Sequence, residues 1–168
     1  MVKHRLQSLP KPEDIYRVTL PNGITVLTRS SFSNPSISMG GYLPAGSIFE
    51  SDDKLGLADF VSSCLLRGTQ TRTFDEIFNE LESVGASLGF DSNVHNINFG
   101  GRSLVEDLPL LLKLLSESLL VPTFPKKEVE NLRVHMLTGL AIREQDTSDM
   151  AAMAFDRILF EGHPYSRP

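Results

Sequence analysis

Apolar and polar residues alternate in several short runs of this chain and recur every three or four positions in others. Alternation predicts half-buried strands, and the longer spacing predicts amphipathic helices. The resulting order, β-β-β-α-α-β-β-α-α-α, indicates an α+β fold with an antiparallel or mixed sheet and helices packed on one face. The predicted strands cover residues 15–20, 24–30, 37–43, 86–92 and 95–102, and the predicted helices cover residues 55–66, 73–84, 105–119, 125–144 and 147–161.

Local signals support several of these boundaries. Residues 21–23, Pro-Asn-Gly, contain an Asn-Gly pair that is typical of the turn between two hairpin strands. Thr73 and Glu76 form a capping-box pattern at the start of helix 73–84, and Gly85 suits its end. Pro125 suits the first turn of helix 125–144. These residues predict where elements begin and end.

Composition narrows the class of protein. With 168 residues and 40% hydrophobic content, the chain can bury one core. A net charge of −5 without a basic stripe disfavours nucleic-acid binding. Cys64 is the single cysteine, so no internal disulfide forms, and Lys113 and Glu117 interrupt the one long apolar run, which argues against a membrane span. Residues 1–12 are interpreted as a polar leader without a secretory apolar segment. We expect a soluble cytoplasmic protein, with a periplasmic or organellar location left open.

Residues 56–69 read GLADFVSSCLLRGT and hold the main candidate chemistry. The frame G-L-A-x-F-x-x-x-x-L-x-x-G-T resembles the zinc helix of the M16 peptidases, the pitrilysin and mitochondrial-processing-peptidase family. Active members carry H-x-x-E-H in that frame, with two His ligands and a Glu that serves as general base. The resemblance places the two ligand positions at Asp59 and Ser63 and the base position at Ser62, so all three are replaced.

The replacement residues do not form a zinc site on chemical grounds. Catalytic zinc usually has three protein ligands and a bound water that needs a base nearby. The hydroxyls of Ser62 and Ser63 are poor ligands and have no useful basicity at neutral pH, which leaves Asp59 as the one ligand-type side chain on that helical face. Cys64 follows directly but lies on a different face, since neighbours on a helix are about 100° apart. We therefore expect no zinc cofactor and no catalytic residue.

A later position supports the same expectation. The third ligand of the M16 peptidases is a Glu in a context like V-x-L-x-E-I, which resembles the run from Val134 to Leu140 here. The resemblance places that ligand at Gly139, which has no side chain to bind a metal. His135 lies one turn earlier, and a lone His on a long amphipathic helix is interpreted as a packing or surface residue.

Several shorter runs extend the M16 resemblance over nearly the whole chain. Residues 20–26, LPNGITV, resemble the family pattern L-x-N-G-L-x-V, and residues 42–50, YLPAGSIFE, resemble a strand that ends in A-G-S-x-x-E. Residues 81–86, LESVGA, resemble L-E-x-x-G-A/G, residues 121–124, VPTF, resemble N-P-x-F, and residues 162–168, GHPYSRP, resemble H-P-Y-G-R-P. The resemblance implies a LuxS/metalloprotease-like unit with residues 13–168 as an N-terminal domain, in a family whose chains continue beyond this point. Such a piece is expected to expose a sheet edge and an apolar helix face.

Three functions of different classes are compatible with these residues. The favoured hypothesis is a non-catalytic M16-like subunit that pairs with a zinc-bearing paralogue retaining H-x-x-E-H, shapes a chamber and binds peptide. The alternatives are an M16-type zinc metalloendopeptidase with an atypical ligand set and a stand-alone scaffold protein. Peptide contact is expected at Asp59, on the face of the degenerate zinc helix. It is also expected at His95, because the resemblance implies that the strand over residues 94–99 helps to line the substrate groove. The acidic pair Asp52-Asp53 and the acids of residues 144–149 are interpreted as solvated loops or helix caps.

Overall fold

A short hairpin forms the amino-terminal part of the described chain. The structure, a computed structural model, describes residues 11–32 and 34–167 and divides at residues 35 and 36 into two compact units. In the first unit, β1 (Tyr16–Thr19) pairs antiparallel with β2 (Thr25–Thr28). The carbonyl of Leu20 accepts a hydrogen bond from the N–H of Gly23, whose φ is +89°. The predicted Asn-Gly turn is therefore confirmed, whereas residues 1–10 of the predicted leader lie outside the described residues.

The second unit contains a three-stranded antiparallel sheet. Its strands are β3 (Ser36–Leu43), β4 (Ser87–Ser92) and β5 (Ile97–Leu104), in the order β3-β5-β4. The five predicted strands thus form two separate sheets, and within this sheet β3 and β4 are the two edges.

Five helices follow the predicted order. They are α1 (Leu57–Cys64), α2 (Phe74–Ser83), α3 (Leu108–Leu120), α4 (Lys126–Arg143) and α5 (Thr147–Leu159). Helices α1, α2 and α3 pack against β4 or β5. The capping box of α2 is present, because Thr73 Oγ1 accepts from the N–H of Glu76 while the Glu76 carboxylate accepts from the N–H of Thr73. These helices confirm the α+β prediction.

The core lies between one face of the sheet and the helices. Its buried members come from α2, α3, β4 and the segment after α1: Leu66, Ile77, Leu81, Leu88, Leu111 and Leu114. Gly101 of β5 stands opposite both Met39 and Leu88. A Cβ at Gly101 would lie 2.8 Å from the carbonyl oxygen of Ser87 and 3.2 Å from the Leu111 side chain, so glycine is needed for close packing there. All helices of this core lie on one sheet face, as predicted.

The second half of α4 and the whole of α5 contribute little to that core. No residue of α5 is buried. Large apolar side chains are exposed on both helices: Val134, Leu137, Leu140, Ile142, Met150, Phe155, Ile158 and Leu159. These exposed side chains agree with the apolar helix surface that is expected from the sequence. Within residues 11–32 and 34–167, no helix is long and apolar enough to cross a membrane.

Candidate functional site

Helix α1 begins at a carboxylate that lies upstream in the chain. Glu50 accepts hydrogen bonds from the backbone N–H groups of Gly56 (2.9 Å) and Ala58 (2.6 Å). Gly56 precedes the helix in a left-handed conformation with φ of +86°, which glycine adopts without strain. A carboxylate at a helix start satisfies free N–H groups and complements the helix dipole. Glu50, in the A-G-S-x-x-E run, therefore fixes the position of α1.

The three degenerate positions on α1 differ in exposure. Asp59 is exposed, Ser63 is half-buried, and Ser62 is 1% exposed. The Ser62 hydroxyl donates a 2.9 Å hydrogen bond to the backbone carbonyl of Asp59, one turn earlier on the same helix. The side chain at the base position is thus buried and bonded to its own helix, and a serine hydroxyl is not basic enough to take a proton from a bound water.

The fourth degenerate position lies on α4, which packs against α1. The guanidinium group of Arg133 lies over the Phe60 ring, 5.2 Å from its centroid, and marks the contact between the two helices. Gly139 is two turns after the buried Leu132 and therefore on the same helical face. A Cβ built on Gly139 meets no atom within 4 Å. The structure has room for a side chain here, but the sequence supplies none.

The residues present do not fit a zinc ion. Asp59 is the one carboxylate at the four positions, and no cluster of three His, Cys, Asp or Glu side chains suited to a metal occurs in the part of the chain that the structure describes. Cys64 is 2% exposed. Burial raises the pKa of its thiol, although Arg67 and Arg133 act in the opposite direction, so the thiol is neutral at pH 7. No catalytic step through zinc follows from this donor set.

A backbone junction holds the β4–β5 turn beside the segment that precedes α1. The N–H groups of Gly46, Ser47 and Ile48 donate to the carbonyls of His95 (3.1 Å), Asn93 (3.2 Å) and Val94 (2.8 Å). A Cβ at Gly46 would lie 2.4 Å from the Asn93 oxygen, so the two backbones approach too closely for any other residue. The A-G-S run therefore carries a glycine for contact with the turn rather than for chemistry.

His95 lies on that turn and contacts the carboxyl-terminal residues. Its Nε2 atom shares a 2.6 Å hydrogen bond with the hydroxyl of Tyr165, and the two rings meet edge-on. Arg167 donates to the carbonyl of Ser47 (3.2 Å) and to Asp52 Oδ1 (2.9 Å). Asp52 is thus an ion-pair partner and not only the solvated acid that the sequence suggested. The expected peptide contact of His95 stays a prediction.

A second charged cluster joins α2 to α3. Arg72 binds Glu80 (Nε to Oε1, 2.8 Å) and Glu117, whose carboxylate also accepts from the Thr71 hydroxyl (2.8 Å). The hydrogen bonds that Arg72 donates to the carboxylates of Glu80 and Glu117 raise the pKa of Arg72. Burial alone would raise the pKa of Glu117, but the bonds from Arg72 and Thr71 outweigh it and lower that pKa. The cluster is structural, and no spacing in the sequence pairs residues so far apart.

Comparison with known proteins links the chain to the M16 peptidases. Residues 25–168 match the family model described as Insulinase (Peptidase family M16). The chain is 31% identical over 152 residues to an uncharacterized zinc protease of Mycobacterium tuberculosis, covering 90% of this chain and 35% of that protein. It is 29% identical over 142 residues to the mitochondrial-processing peptidase subunit beta of Saccharomyces cerevisiae, covering 84% of this chain and 29% of that protein.

A third relative and one solved structure extend the comparison. The chain is 29% identical over 164 residues to cytochrome b-c1 complex subunit 1 of Bos taurus, covering 96% of this chain and 33% of that protein. The chain thus spans about a third of the length of these curated relatives. A crystal structure described as a peptidase M16 inactive domain from Pseudomonas fluorescens aligns with a TM-score of 0.86 at 24% identity, over 92% of this chain and 38% of that chain. This last likeness shows the fold.

The family model accounts for residues 25–168. Three residues from the motif runs named from the sequence, Glu50, Gly46 and Arg167, each hold part of the frame around α1. The chain therefore belongs to peptidase family M16.

Proposed function

We propose that this chain is a non-catalytic M16 subunit that binds peptide beside a zinc-bearing paralogue retaining H-x-x-E-H. The main observation behind this proposal is that α1 keeps its structural contacts while its catalytic positions are replaced. Its frame is held by Glu50, which bonds two N–H groups at the helix start. Its reactive positions are Asp59, Ser62 and Ser63, which supply one carboxylate and no base.

The assembly part of the proposal has separate support. Two of the matched relatives are named as subunits, one of a processing peptidase and one of a cytochrome b-c1 complex. In a chamber formed by two subunits, the subunit without catalytic residues still contacts the substrate. It therefore contributes binding energy and helps to orient the peptide at the catalytic subunit. The side chain of Asp59 on α1 is exposed and available for such contact. His95, beside β5, is also exposed, and its ring is open to a peptide except at Nε2, which is hydrogen-bonded to Tyr165.

The test uses the purified chain and the H-x-x-E-H paralogue of the same organism. Cleavage of a fluorogenic peptide is measured with the paralogue alone, the chain alone and both together, and complex formation is followed by analytical ultracentrifugation at micromolar concentration. We expect a stable complex, a higher kcat/KM in the mixture, and no cleavage by the chain alone. The Asp59→Ala and His95→Ala variants should lower the gain, whereas Glu82→Ala, an exposed acid at the end of α2, should leave it unchanged.

Two results would overturn the proposal in different directions. A paralogue that is fully active alone and forms no complex with the chain would favour the scaffold hypothesis. Cleavage by the chain alone that is lost with a chelator and restored by zinc would favour a metallopeptidase with an atypical ligand set.

A further inference from the structure

Helix α5 is attached to the rest of its unit mainly through the short turn that follows it. None of its side chains is buried, and its main contacts are with the turn Pro164–Ser166. The turn Pro164–Ser166 also contacts the segment Ser47–Phe49. An element with few buried apolar contacts opens at a lower free energy than the core does. The attachment of α5 therefore depends on what holds residues 163–167.

Three sets of contacts hold those residues. The Tyr165 ring packs edge-on against Phe160 at the end of α5, with centroids 5.4 Å apart. Its hydroxyl is hydrogen-bonded to Nε2 of His95 on the β4–β5 turn, 2.6 Å away. Arg167, which directly follows the turn Pro164–Ser166, donates hydrogen bonds to the carbonyl of Ser47 and to the carboxylate of Asp52. These contacts join α5 to three segments that are distant in sequence.

We propose that residues 163–167 form a clasp that fastens α5, and that its opening frees α5 and the Nε2 atom of His95 together. The clasp closes on His95, because the Tyr165 hydroxyl occupies the ring nitrogen that a ligand would otherwise reach. The sheet and α1 to α3 stay folded when the clasp opens, since their core contains no residue of α5. This inference concerns the fold and does not rest on the peptide-binding function proposed above.

Hydrogen exchange on the intact chain tests the first half of the proposal. Tyr165→Phe removes only the hydroxyl bond and keeps the ring contacts, and Arg167→Gln removes the ion pair. In the double variant we expect the amide protection of residues 147–160 to fall by about tenfold or more, while the amides of 97–104 stay within about twofold. Tyr42→Phe, on an exposed tyrosine of β3, is the matched control and should change neither segment.

Chemical modification tests the second half. Diethylpyrocarbonate modification of His95, followed by mass spectrometry, should be several-fold faster in Tyr165→Phe than in the unmodified sequence. His135 on exposed α4 is the internal reference and should react equally in both.

Several outcomes would overturn the clasp. Amides of α5 that already exchange freely in the starting protein would show that the clasp holds nothing. Unchanged α5 protection in the double variant would show that other contacts fasten the helix, and parallel loss in α5 and β5 would show that both belong to one cooperative unit. An unchanged rate at His95 would show that the Tyr165 hydroxyl does not shield its ring.

Discussion

The carboxylate of Glu50 and the backbone N–H of Ala58 are joined by a 2.6 Å hydrogen bond across the start of α1. The second carboxylate oxygen binds the N–H of Gly56. This pair sets where the helix begins, because the first N–H groups of a helix have no partner within it. The degenerate positions at Asp59, Ser62 and Ser63 follow within two turns, so their placement depends on a residue that is itself not part of the zinc motif.

Replacing Glu50 tests that dependence. Glu50→Gln keeps the side-chain shape but leaves one oxygen and no charge, so one of the two N–H groups loses its acceptor. We expect a loss of about 1 kcal/mol in the free energy of unfolding, measured by urea denaturation. Glu82→Gln, on an exposed residue at the end of α2, is the control and should stay within about 0.5 kcal/mol. Equal effects of both variants would contradict the capping role.

Metal content tests the loss of the zinc donors. We expect the untagged protein, after dialysis against metal-free buffer, to contain well below one zinc per chain, because the four ligand and base positions offer only the carboxylate of Asp59. Mass spectrometry of the metal gives the ratio directly. A tightly held equivalent that disappears in Asp59→Ala but remains in Asp53→Ala would show that an unrecognised ligand set exists.

Rebuilding the donors tests the placement of α1 and α4. The variant Asp59→His/Ser62→Glu/Ser63→His/Gly139→Glu should gain zinc affinity, measured by calorimetry, if the four positions converge. Binding should be weak, since the surrounding partners that orient ligands are not rebuilt. The Ser62 site is 1% exposed, so the larger Glu should cost about 1–3 kcal/mol of stability. A folded variant that binds no more zinc than the same variant without Gly139→Glu would mean that this position is misassigned.

Two glycines provide a matched pair for the backbone junction. Gly46→Ala places a methyl group 2.4 Å from the Asn93 oxygen and from the carbonyl carbon of His95. The backbones must separate, so we expect a loss of about 1–3 kcal/mol or more, measured by thermal and urea unfolding. Gly89→Ala in β4 meets no atom within 4 Å and should be neutral or slightly stabilising. A tolerated Gly46→Ala would show that the junction is looser than the structure indicates.

The Arg72–Glu117 ion pair gives a pH-dependent prediction. The pKa of Glu117 is lower in the folded protein than in the unfolded chain, so the carboxylate stabilises the fold above its unfolded pKa of about 4.3 and loses that effect as pH falls through its folded pKa. Glu117→Gln should cost about 1–3 kcal/mol at pH 7 and less as the pH falls below about 4. Urea unfolding curves of both proteins at pH 7 and at pH 3 measure how much Glu117→Gln lowers the free energy of unfolding at each pH. A cost that is the same at pH 3 and pH 7 would contradict the charged pairing.

Local signals explain why so much of the fold was predictable. The capping pair Thr73 and Glu76 and the turn at Gly23 act over a few residues, so sequence spacing reveals them. The start of α1 was predicted two residues early, at residue 55, because its cap comes from Glu50, which no helix-start pattern includes. Local rules place an element well but place its ends poorly when a distant residue fixes them.

The sequence identifies the residues of the candidate site but does not predict their burial or their contact partners. Positions 59, 62 and 63 lie within little more than one turn of α1, and the motif spacing alone does not distinguish their environments. Burial separates them, because Ser62 faces the packed side of α1 and Asp59 faces solvent. The pairs His95–Tyr165 and Arg72–Glu117 join residues 70 and 45 positions apart, and no spacing rule connects such partners.

The tip of the β4–β5 hairpin has a practical consequence for engineering. Hairpin tips usually accept inserted residues, since few contacts cross them. Here residues 93–95 accept three backbone hydrogen bonds from residues 46–48, and His95 also contacts Tyr165. An epitope tag or fluorophore loop inserted at this tip would displace the support of α1. The turn at Gly23, where a Cβ meets no atom within 4 Å, is the better site for such a label.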